Sequence, residues 1–154
     1  MQIRQAIAND MPALLALMSE FYAESGYELD RAHAERAFTA ILADKRLGYV
    51  WLIDDADKNM GYIVLTLRFA MEYGGLIGCL DDLYVVPHAR NKGLATAALM
   101  QVRDFCKNSG VCAITVEVGF NNGPAQTAYR RVGLVEMPDR QLLALALARP
   151  THVV

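Results

Sequence analysis

The sequence predicts an α/β protein in which helices cover both faces of one mixed sheet. Two observations support this fold class. Apolar residues recur at helical spacing in four segments, and about seven short segments are rich in β-branched, aromatic and other apolar residues. The predicted order of these segments is β-α-α-β-β-β-α-β-α-β-β, which favours a mixed sheet with helices on both faces. A length of 154 residues suits one full core, so we expect residues 1–154 to form a single domain.

The first half of the chain is predicted to form one strand, two helices and two further strands. Asn9-Asp10 offers an N-cap for the first helix, and Pro12 suits its first turn. Asp30 can cap the second helix, which Gly48 ends. The expected elements are a strand at 1–6, helices at 12–24 and 31–47, and strands at 49–53 and 62–69.

The second half of the chain is predicted to add four strands and two helices. Gly110 suits the position just after the end of the third helix, and Asn122 suits the N-cap of the fourth. The expected elements are a strand at 76–86, a helix at 93–109, a strand at 112–118, a helix to about 132, and closing strands at 133–137 and 142–147. The predicted sheet therefore has about seven strands.

Composition and charge narrow the classes of partner. The formal net charge of -2 argues against nucleic acid or an anionic membrane as the main partner. The three histidines are scattered and show no metal-ligand spacing. The cysteines form no C-x-x-C pair, and their apolar contexts favour buried, reduced thiols. With no run of about 18 apolar residues and no basic-then-apolar leader, we expect a cytoplasmic protein.

A basic turn with a single glycine lies between a predicted strand and a predicted helix. The stretch "RNKGLAT" places Arg90, Lys92 and Gly93 at the start of that helix. Helix N-termini carry unpaired N–H groups and bind phosphate well, so the turn suits a pyrophosphate. It lacks the G-K-[ST] ending of a Walker A loop and the other glycines of a dinucleotide-binding loop. Taken alone, Gly93 is also compatible with a plain turn between solvated charges.

Two motifs resemble those of the GCN5-related N-acetyltransferases (GNAT). The first is similar to the acyl-CoA signature Q/R-x-x-G-x-G/A, matched by Arg90, Gly93 and Ala95. The second is similar to N-x-x-A-x-x-x-Y-x-x-x-G-F, matched by Asn122, Ala125, Tyr129 and Gly133. The predicted order of elements resembles the family's across nearly all of the chain. The departures are Asn91, where many members carry glycine, and Leu134 in place of phenylalanine.

The resemblance implies acetyl-CoA as a co-substrate and a splayed pair of strands that holds it. Its pantetheine arm would pair with the backbone of residues 83–85, and amides from residues 91–96 would hold its pyrophosphate. The strand residues could equally be plain core, and the two interpretations are compatible because the contact is made by backbone. The implied binding residues are Leu83, Tyr84, Val85, Arg90, Asn91, Lys92, Gly93, Leu94, Ala95, Thr96, Asn122 and Ala125.

Tyr129 matches the tyrosine that protonates the departing CoA thiolate in many members of the family. A phenol can supply this proton if it lies within hydrogen-bond reach of the sulfur. At helical spacing, Asn122, Ala125 and Tyr129 share roughly one face of the predicted helix. The alternative is that Tyr129 is a core aromatic residue.

Asp81 and Asp82 interrupt an otherwise apolar predicted strand. Buried carboxylates are costly unless they are paired or near water, and the side chains of the two aspartates are expected to point to opposite faces of the strand. In some related amine acetyltransferases, a glutamate at the position of Asp81 is thought to deprotonate the attacking amine. Aspartate is one methylene shorter, which favours a water relay. Either residue could be the base, with Asp81 ahead of Asp82, or one could end a hairpin or pair with Arg68.

The resemblance also implies where the acceptor binds. In the family, the loop between the first two helices and the entry to the fourth strand line the acceptor pocket. The implied substrate-binding residues here are Tyr22, Tyr27, Glu28 and Glu72, with Glu24 beside them. Each could equally belong to a solvated polar loop. The local acidity favours a primary amine of a small molecule or peptide.

The predicted activity is direct transfer of an acetyl group from acetyl-CoA to an amine in a ternary complex. No cysteine or serine has the context of a nucleophile, so we expect no covalent enzyme intermediate. The alternative is a non-catalytic acyl-CoA-binding module that acts as a sensor or regulator. The apolar stretch "LLALAL" could pair with a partner's sheet edge, which makes a homodimer possible.

Overall fold

The computed structural model describes residues 1–56 and 58–148, which form four α-helices and five strands. Single turns of 3₁₀ helix precede the first α-helix and flank the fourth strand. The α-helices and strands are β1 (Gln2–Gln5), α1 (Met11–Glu24), α2 (Arg31–Ala43), β2 (Gly48–Asp55), β3 (Lys58–Ala70), β4 (Gly75–Val85), α3 (Leu94–Asn108), β5 (Ile114–Val116) and α4 (Gly123–Arg131).

The described strands form one mixed sheet in the order β1-β2-β3-β4-β5. Strands β1 to β4 pair antiparallel with one another, and β5 pairs parallel to β4. Strands β2 and β3 lie in the middle and supply much of the buried core. Trp51 and Tyr62 are the largest fully buried side chains. The fold class predicted from the sequence is therefore confirmed, with five strands in place of about seven.

Local sequence explains the helix ends. The side chain of Asp30 accepts a hydrogen bond from the backbone N–H of His33 at 3.0 Å, which caps α2 as expected. The same helix ends at Ala43, earlier than the predicted end near Gly48. Asp44 accepts hydrogen bonds from the backbone and side chain of Arg46, and this local turn competes with the helix.

Two of the predicted strands are wrong. Residues 133–137 and 142–147 form no strand in the described chain, and β5 covers three residues in place of seven. The apolar pattern predicted that these side chains need cover, but pattern alone does not specify what covers them. Leu142, Leu143, Leu145 and Leu147 are exposed. The expectation of buried thiols also fails at Cys112, which is exposed, whereas Cys106 is buried.

The pairing of β4 with its neighbours changes along its length. Against β3, the register shifts between Val64 and Leu65, so that Asp81 is an extra residue in β4. Against β5, pairing ends at Leu80 and Val116. The last five residues of β4, 81–85, therefore have β3 on one side and no strand on the other. None of the helices in the described ranges is long and apolar enough to cross a membrane.

Candidate active site

Asp82 lies at the centre of a polar cluster in the second half of β4. The hydroxyl of Tyr62 on β3 donates a hydrogen bond to Asp82 Oδ2 at 2.9 Å. Burial disfavours the charged carboxylate more than the Tyr62 hydrogen bond favours it, and the charge of Asp81 adds to the effect. Together they raise the pKa of Asp82 to about 6. A carboxylate of this kind is mainly ionised at neutral pH and accepts a proton readily.

The β-bulge at Asp81 decides which way Asp82 faces. Because the extra residue changes the alternation of side chains, Asp82 is opposite Val64 whereas Leu80 is opposite Leu65. Asp82 therefore shares the Tyr62 side of the sheet and is half-buried, while Asp81 is exposed. Neither aspartate forms an ion pair with Arg68 within the described chain.

Tyr129 and Tyr22 reach the same cluster from two different helices. Burial raises the pKa of Tyr129 on α4, and the charge of Asp82 raises it further. The pKa of Tyr22 on α1 is raised by burial and by the charges of Asp82 and Asp81. Both phenols therefore stay protonated at neutral pH. The fold brings together residues that lie more than a hundred positions apart in the sequence.

The hydroxyl oxygen of Tyr129 is not completely buried, although the residue is only 9% exposed. It has no hydrogen-bond partner in the described ranges, where every buried polar side-chain atom does have one. The oxygen atom must therefore be accessible. A protonated phenol with an accessible, unpaired hydroxyl can donate its proton to a bound molecule.

The backbone of β4 beyond the bulge presents unpaired groups on its outer side. A Cβ atom at Gly61 would lie 2.2 Å from the carbonyl oxygen of Tyr84, so Tyr84 points its backbone groups towards β3. Val86 N–H also bonds towards β3, to the carbonyl of Met60 at 2.9 Å. Because backbone groups alternate in a strand, those of Leu83 and Val85 face the gap that β5 leaves open. The Val85 carbonyl oxygen accepts a hydrogen bond from Arg90 there, whereas the Val85 N–H and both backbone groups of Leu83 have no strand partner on that side.

The basic turn begins α3 with two residues in the left-handed region. Asn91 has φ of 61° and Gly93 has φ of 80°. Gly93 caps α3 through its backbone, and no side chain in the described ranges caps that end. The first-turn N–H groups of Leu94, Ala95 and Thr96 therefore have no partner within the helix. Such a turn is an arrangement that can bind an anion.

The side chain of Arg90 points back into the protein and not to the turn. Its Nε donates to the carbonyl oxygen of Val85 at 2.7 Å, and its Nη2 bonds both carboxylate oxygens of Glu24 at 2.7 Å. The guanidinium also lies 5.5 Å from the ring centre of Tyr84. The Tyr84 hydroxyl donates to Glu20 and Glu24 at 3.2 Å. This network connects the end of β4 to the end of α1.

Several of the residues predicted for the site lie apart from this cluster or have other contacts. Asn122 caps α4 by accepting from Ala125 N–H at 3.3 Å. Glu72 lies in the turn before β4, where Arg140 donates hydrogen bonds to its carboxylate at 3.1 and 3.2 Å. The first residue of β4, Gly75, is roughly 23 Å from Asp82 along the strand. In the loop after α1, Tyr27 is half-buried and Glu28 is exposed.

The sequence interpretation missed Tyr62 and the side-chain contacts of Tyr84. A polar hydroxyl on β3 is a weak signal, since tyrosine is common in buried strands. Its relation to Asp82 depends on the bulge, which no local pattern announces. In the described part of the chain, no group of three histidine, cysteine, aspartate or glutamate side chains could hold a metal ion.

Three comparisons with known proteins bear on the fold and the family. A protein named as an uncharacterised N-acetyltransferase, YhfO from Bacillus subtilis, is 26% identical over 136 residues, covering 88% of this chain and 91% of YhfO. An integron cassette protein from the mobile metagenome of Cole Harbour Salt Marsh is 48% identical. Its crystal structure has a TM-score of 0.89, with 97% of this chain and 92% of that chain covered.

A second similar structure was solved with acetyl-CoA. It is described as a predicted acetyltransferase from Clostridium acetobutylicum, is 18% identical and has a TM-score of 0.77. The match covers 93% of this chain and 95% of that one, and at this identity it supports the fold alone. Residues 12–134 of the present sequence match the Acetyltransferase (GNAT) family. The chain therefore belongs to the GNAT family of acetyltransferases.

Proposed function

We propose that this chain is a single-domain, acetyl-CoA-dependent N-acetyltransferase that acts on a primary amine of a small molecule or peptide. The observation that carries the proposal is the position of Asp82. Its carboxylate is bound by Tyr62 and influences Tyr129 electrostatically. It lies on the part of β4 whose outer backbone groups have no strand partner. The proposed base Asp82, the proposed acid Tyr129 and the proposed ligand-binding edge of β4 therefore lie at one place.

Asp82 is the base that we propose for the amine. A primary amine is mostly protonated at neutral pH and must lose a proton before it can attack a carbonyl carbon. With a pKa of about 6, the Asp82 carboxylate is largely ionised at pH 7 and accepts that proton directly or through water. Tyr62 holds the carboxylate in one orientation by its hydrogen bond. The exposed carboxylate of Asp81 adds negative charge nearby.

Two further groups complete the proposed transfer. Acetyl-CoA supplies the thioester whose carbonyl carbon is joined to the amine nitrogen as the bond to sulfur breaks. The N–H of Val85 faces the gap beside β4 and is oriented to donate to the carbonyl oxygen. The protonated hydroxyl of Tyr129 donates its proton to the leaving sulfur. The products are an amide and a free thiol.

The residues that we propose to hold acetyl-CoA are those of the outer β4 edge and the turn before α3. Leu83 and Val85 offer backbone groups to the pantetheine amides. The amides from Asn91 to Thr96 offer donors to the pyrophosphate, and the exposed Lys92 adds positive charge. Membership of the GNAT family supports acetyl-CoA as the co-substrate.

The proposed acceptor is cationic. Asp81 and Glu28 are exposed carboxylates without an ion pair in the described chain, and Tyr22 and Tyr27 lie in the same region of α1 and its following loop. Negative charge at a site entrance attracts an ammonium group and excludes acidic acceptors. The name of the similar Bacillus subtilis protein supports transfer to nitrogen.

The test is a thiol-release assay with acetyl-CoA and a panel of amines. We expect at least one primary amine to accelerate release of free CoA above the rate of hydrolysis. Tyr129→Phe should lower kcat about 10²- to 10³-fold, since the leaving sulfur then lacks its acid. The dissociation constant for CoA, measured by calorimetry, should remain unchanged.

Tyr49→Phe is the matched control, because Tyr49 packs against Phe105 on the face of the sheet opposite to Tyr62. It should keep full activity. If CoA binds tightly and no amine in a broad panel accelerates thiol release, the chain is a non-catalytic acyl-CoA-binding module. If acyl-CoA itself does not bind, the chain is neither an acetyl-CoA-dependent transferase nor an acyl-CoA-binding module.

A further inference from the structure

Glu24 is the last residue of α1, where a negative charge is unfavourable. The C-terminal end of a helix carries partial negative charge, which cations stabilise and carboxylates oppose. The last turn of α1 nevertheless has no basic residue to offset this charge. Glu20 lies one turn earlier on the same helix, so two carboxylates are neighbours on its surface. A cation from outside the helix is therefore needed beside Glu24.

Arg90 supplies that positive charge. Its Nη2 donates to both carboxylate oxygens of Glu24 at 2.7 Å, and its guanidinium lies over the ring of Tyr84. The Tyr84 hydroxyl is 3.2 Å from the same carboxylate and 3.2 Å from that of Glu20. The Tyr84 ring also packs against Phe21 of α1, with 5.5 Å between ring centres. An exposed ion pair alone contributes little, but one within such a network is held in a single geometry.

The same arginine closes a short loop at the end of β4. Its Nε donates to the carbonyl oxygen of Val85 at 2.7 Å, on the side where β5 has already ended. The residues between them form one turn of 3₁₀ helix, Pro87–Ala89, and the backbone N–H of Arg90 donates to the carbonyl oxygen of Pro87 at 3.2 Å. Arg90 thus provides the donor that a neighbouring strand would otherwise supply to the last residue of β4.

This loop separates the two surfaces that we propose for acetyl-CoA. The outer edge of β4 precedes the loop, and the turn with Asn91 and Gly93 in the left-handed region follows it directly. A ligand that contacts both surfaces binds more tightly when their separation is fixed beforehand, because ordering a loop on binding costs free energy. Arg90 fixes the loop from within, and Glu24 fixes Arg90 from α1.

We propose that Glu24 is a positioning residue for acetyl-CoA: it holds the Arg90 guanidinium on the Val85 carbonyl, which keeps the β4 edge and the turn before α3 at the spacing that acetyl-CoA spans. Glu24 acts here on the acetyl-CoA site of the proposed function, and the inference depends on that function. In this role Glu24 serves the co-substrate and not the acceptor pocket, and the Arg90 side chain acts without contacting phosphate. The contact also joins the co-substrate site to the helix that carries Tyr22.

Glu24→Gln is the first test, because charge alone and positioning predict opposite results for it. Removing a carboxylate near a binding site for an anion should tighten binding if only charge matters. Glutamine cannot form the charged contact with Arg90, so we expect the dissociation constant for CoA, measured by calorimetry, to rise about tenfold. With both substrates saturating, kcat should fall less than about threefold, because Asp82 and Tyr129 are unchanged.

Glu20→Gln is the matched control, since it removes the same charge one helical turn earlier and leaves the contact between Glu24 and Arg90 intact. Its dissociation constant for CoA should change less than about twofold. Arg90→Gln should weaken CoA binding about tenfold. Adding Glu24→Gln to Arg90→Gln should weaken binding no more than about twofold further, because the two residues act through one contact.

Equal or tighter CoA binding by Glu24→Gln would overturn the inference and leave the proposed function intact. Independent effects of Glu24→Gln and Arg90→Gln would overturn it too, since direct contact of Arg90 with phosphate predicts them. A wild-type chain that binds no CoA would contradict the proposed function, and the inference with it. Urea unfolding confirms that the variants, all at exposed positions, remain folded.

Discussion

Among the strand edges without a strand partner in the described chain, those of β4 and β5 have surroundings that differ in polarity. Beyond Leu80, the outer edge of β4 is flanked by Asp82, the open turn before α3 and the hydroxyl of Tyr129. The outer edge of β5 is flanked by half-buried apolar residues, and the same chain exposes a series of leucines. Both edges offer the same backbone donors and acceptors.

The difference shows that neighbouring side chains decide what an unpaired edge can bind. Polar and charged groups beside β4 suit a small polar ligand and proton transfer. Contact between the apolar groups beside β5 and another apolar surface is favourable because it removes both from water. The first edge is therefore the one that we propose for acetyl-CoA.

The largest expected effect separates the two aspartates at the β4 edge. Asp82→Asn should lower kcat/KM for the amine about 10²- to 10⁴-fold, because an amide cannot accept the proton. In the wild-type enzyme, kcat/KM should rise with pH through a step near 6, the pKa of Asp82. Steady-state kinetics from pH 5 to 9 measure both, and the solution mass should stay unchanged.

Asp81→Asn is the matched control for this substitution, since it removes a charge from the adjacent exposed residue. We expect it to change the KM of a cationic acceptor more than kcat. A larger loss of kcat in Asp81→Asn than in Asp82→Asn would assign the base to Asp81.

The second expected effect is on stability. The pKa of Asp82 is raised to about 6 in the folded chain, above its usual value near 4. The folded state therefore binds more protons than the unfolded state between these pH values, and stability falls as pH rises through this window. Asp82→Asn removes the cost of burying this charge and should stabilise the protein by about 2–3 kcal/mol at pH 8, with no difference below pH 4.

Urea unfolding at several pH values measures this effect. The Asp81→Asn variant again serves as the control and should show little change at any pH. Equal unfolding free energies of wild type and Asp82→Asn at pH 8 would show that burial of the ionised Asp82 carboxylate does not destabilise the folded state.

The smallest expected effect concerns the turn that begins α3. Gly93 and Gly110 have similar left-handed φ angles of 80° and 73°, and a Cβ atom added at either would meet no protein atom within 4 Å. Replacing either with alanine should cost about 1 kcal/mol of stability through backbone strain. Only Gly93→Ala should also weaken CoA binding, by about tenfold, which calorimetry measures. Equal CoA affinity of the two variants would place the pyrophosphate elsewhere.

Much of the fold could be predicted because its signals are local. The cap at Asp30, the left-handed glycine before α3 and the apolar periodicity of the helices each act within a few residues. The binding turn and Tyr129 were also indicated by sequence motifs. The role of Tyr62 was not, since its hydrogen bond to Asp82 joins residues 20 positions apart across two strands.

The sequence by itself determined the alternation of helices and strands, the family, and the residue types available for proton transfer. Only the tertiary structure decided that Asp82, and not Asp81, lies against Tyr62, because the bulge at Asp81 reverses the alternation of side chains. It also decided that the apolar residues after α4 are uncovered. Apolar periodicity specifies that a segment must be buried, whereas only packing in three dimensions specifies the surface that buries it.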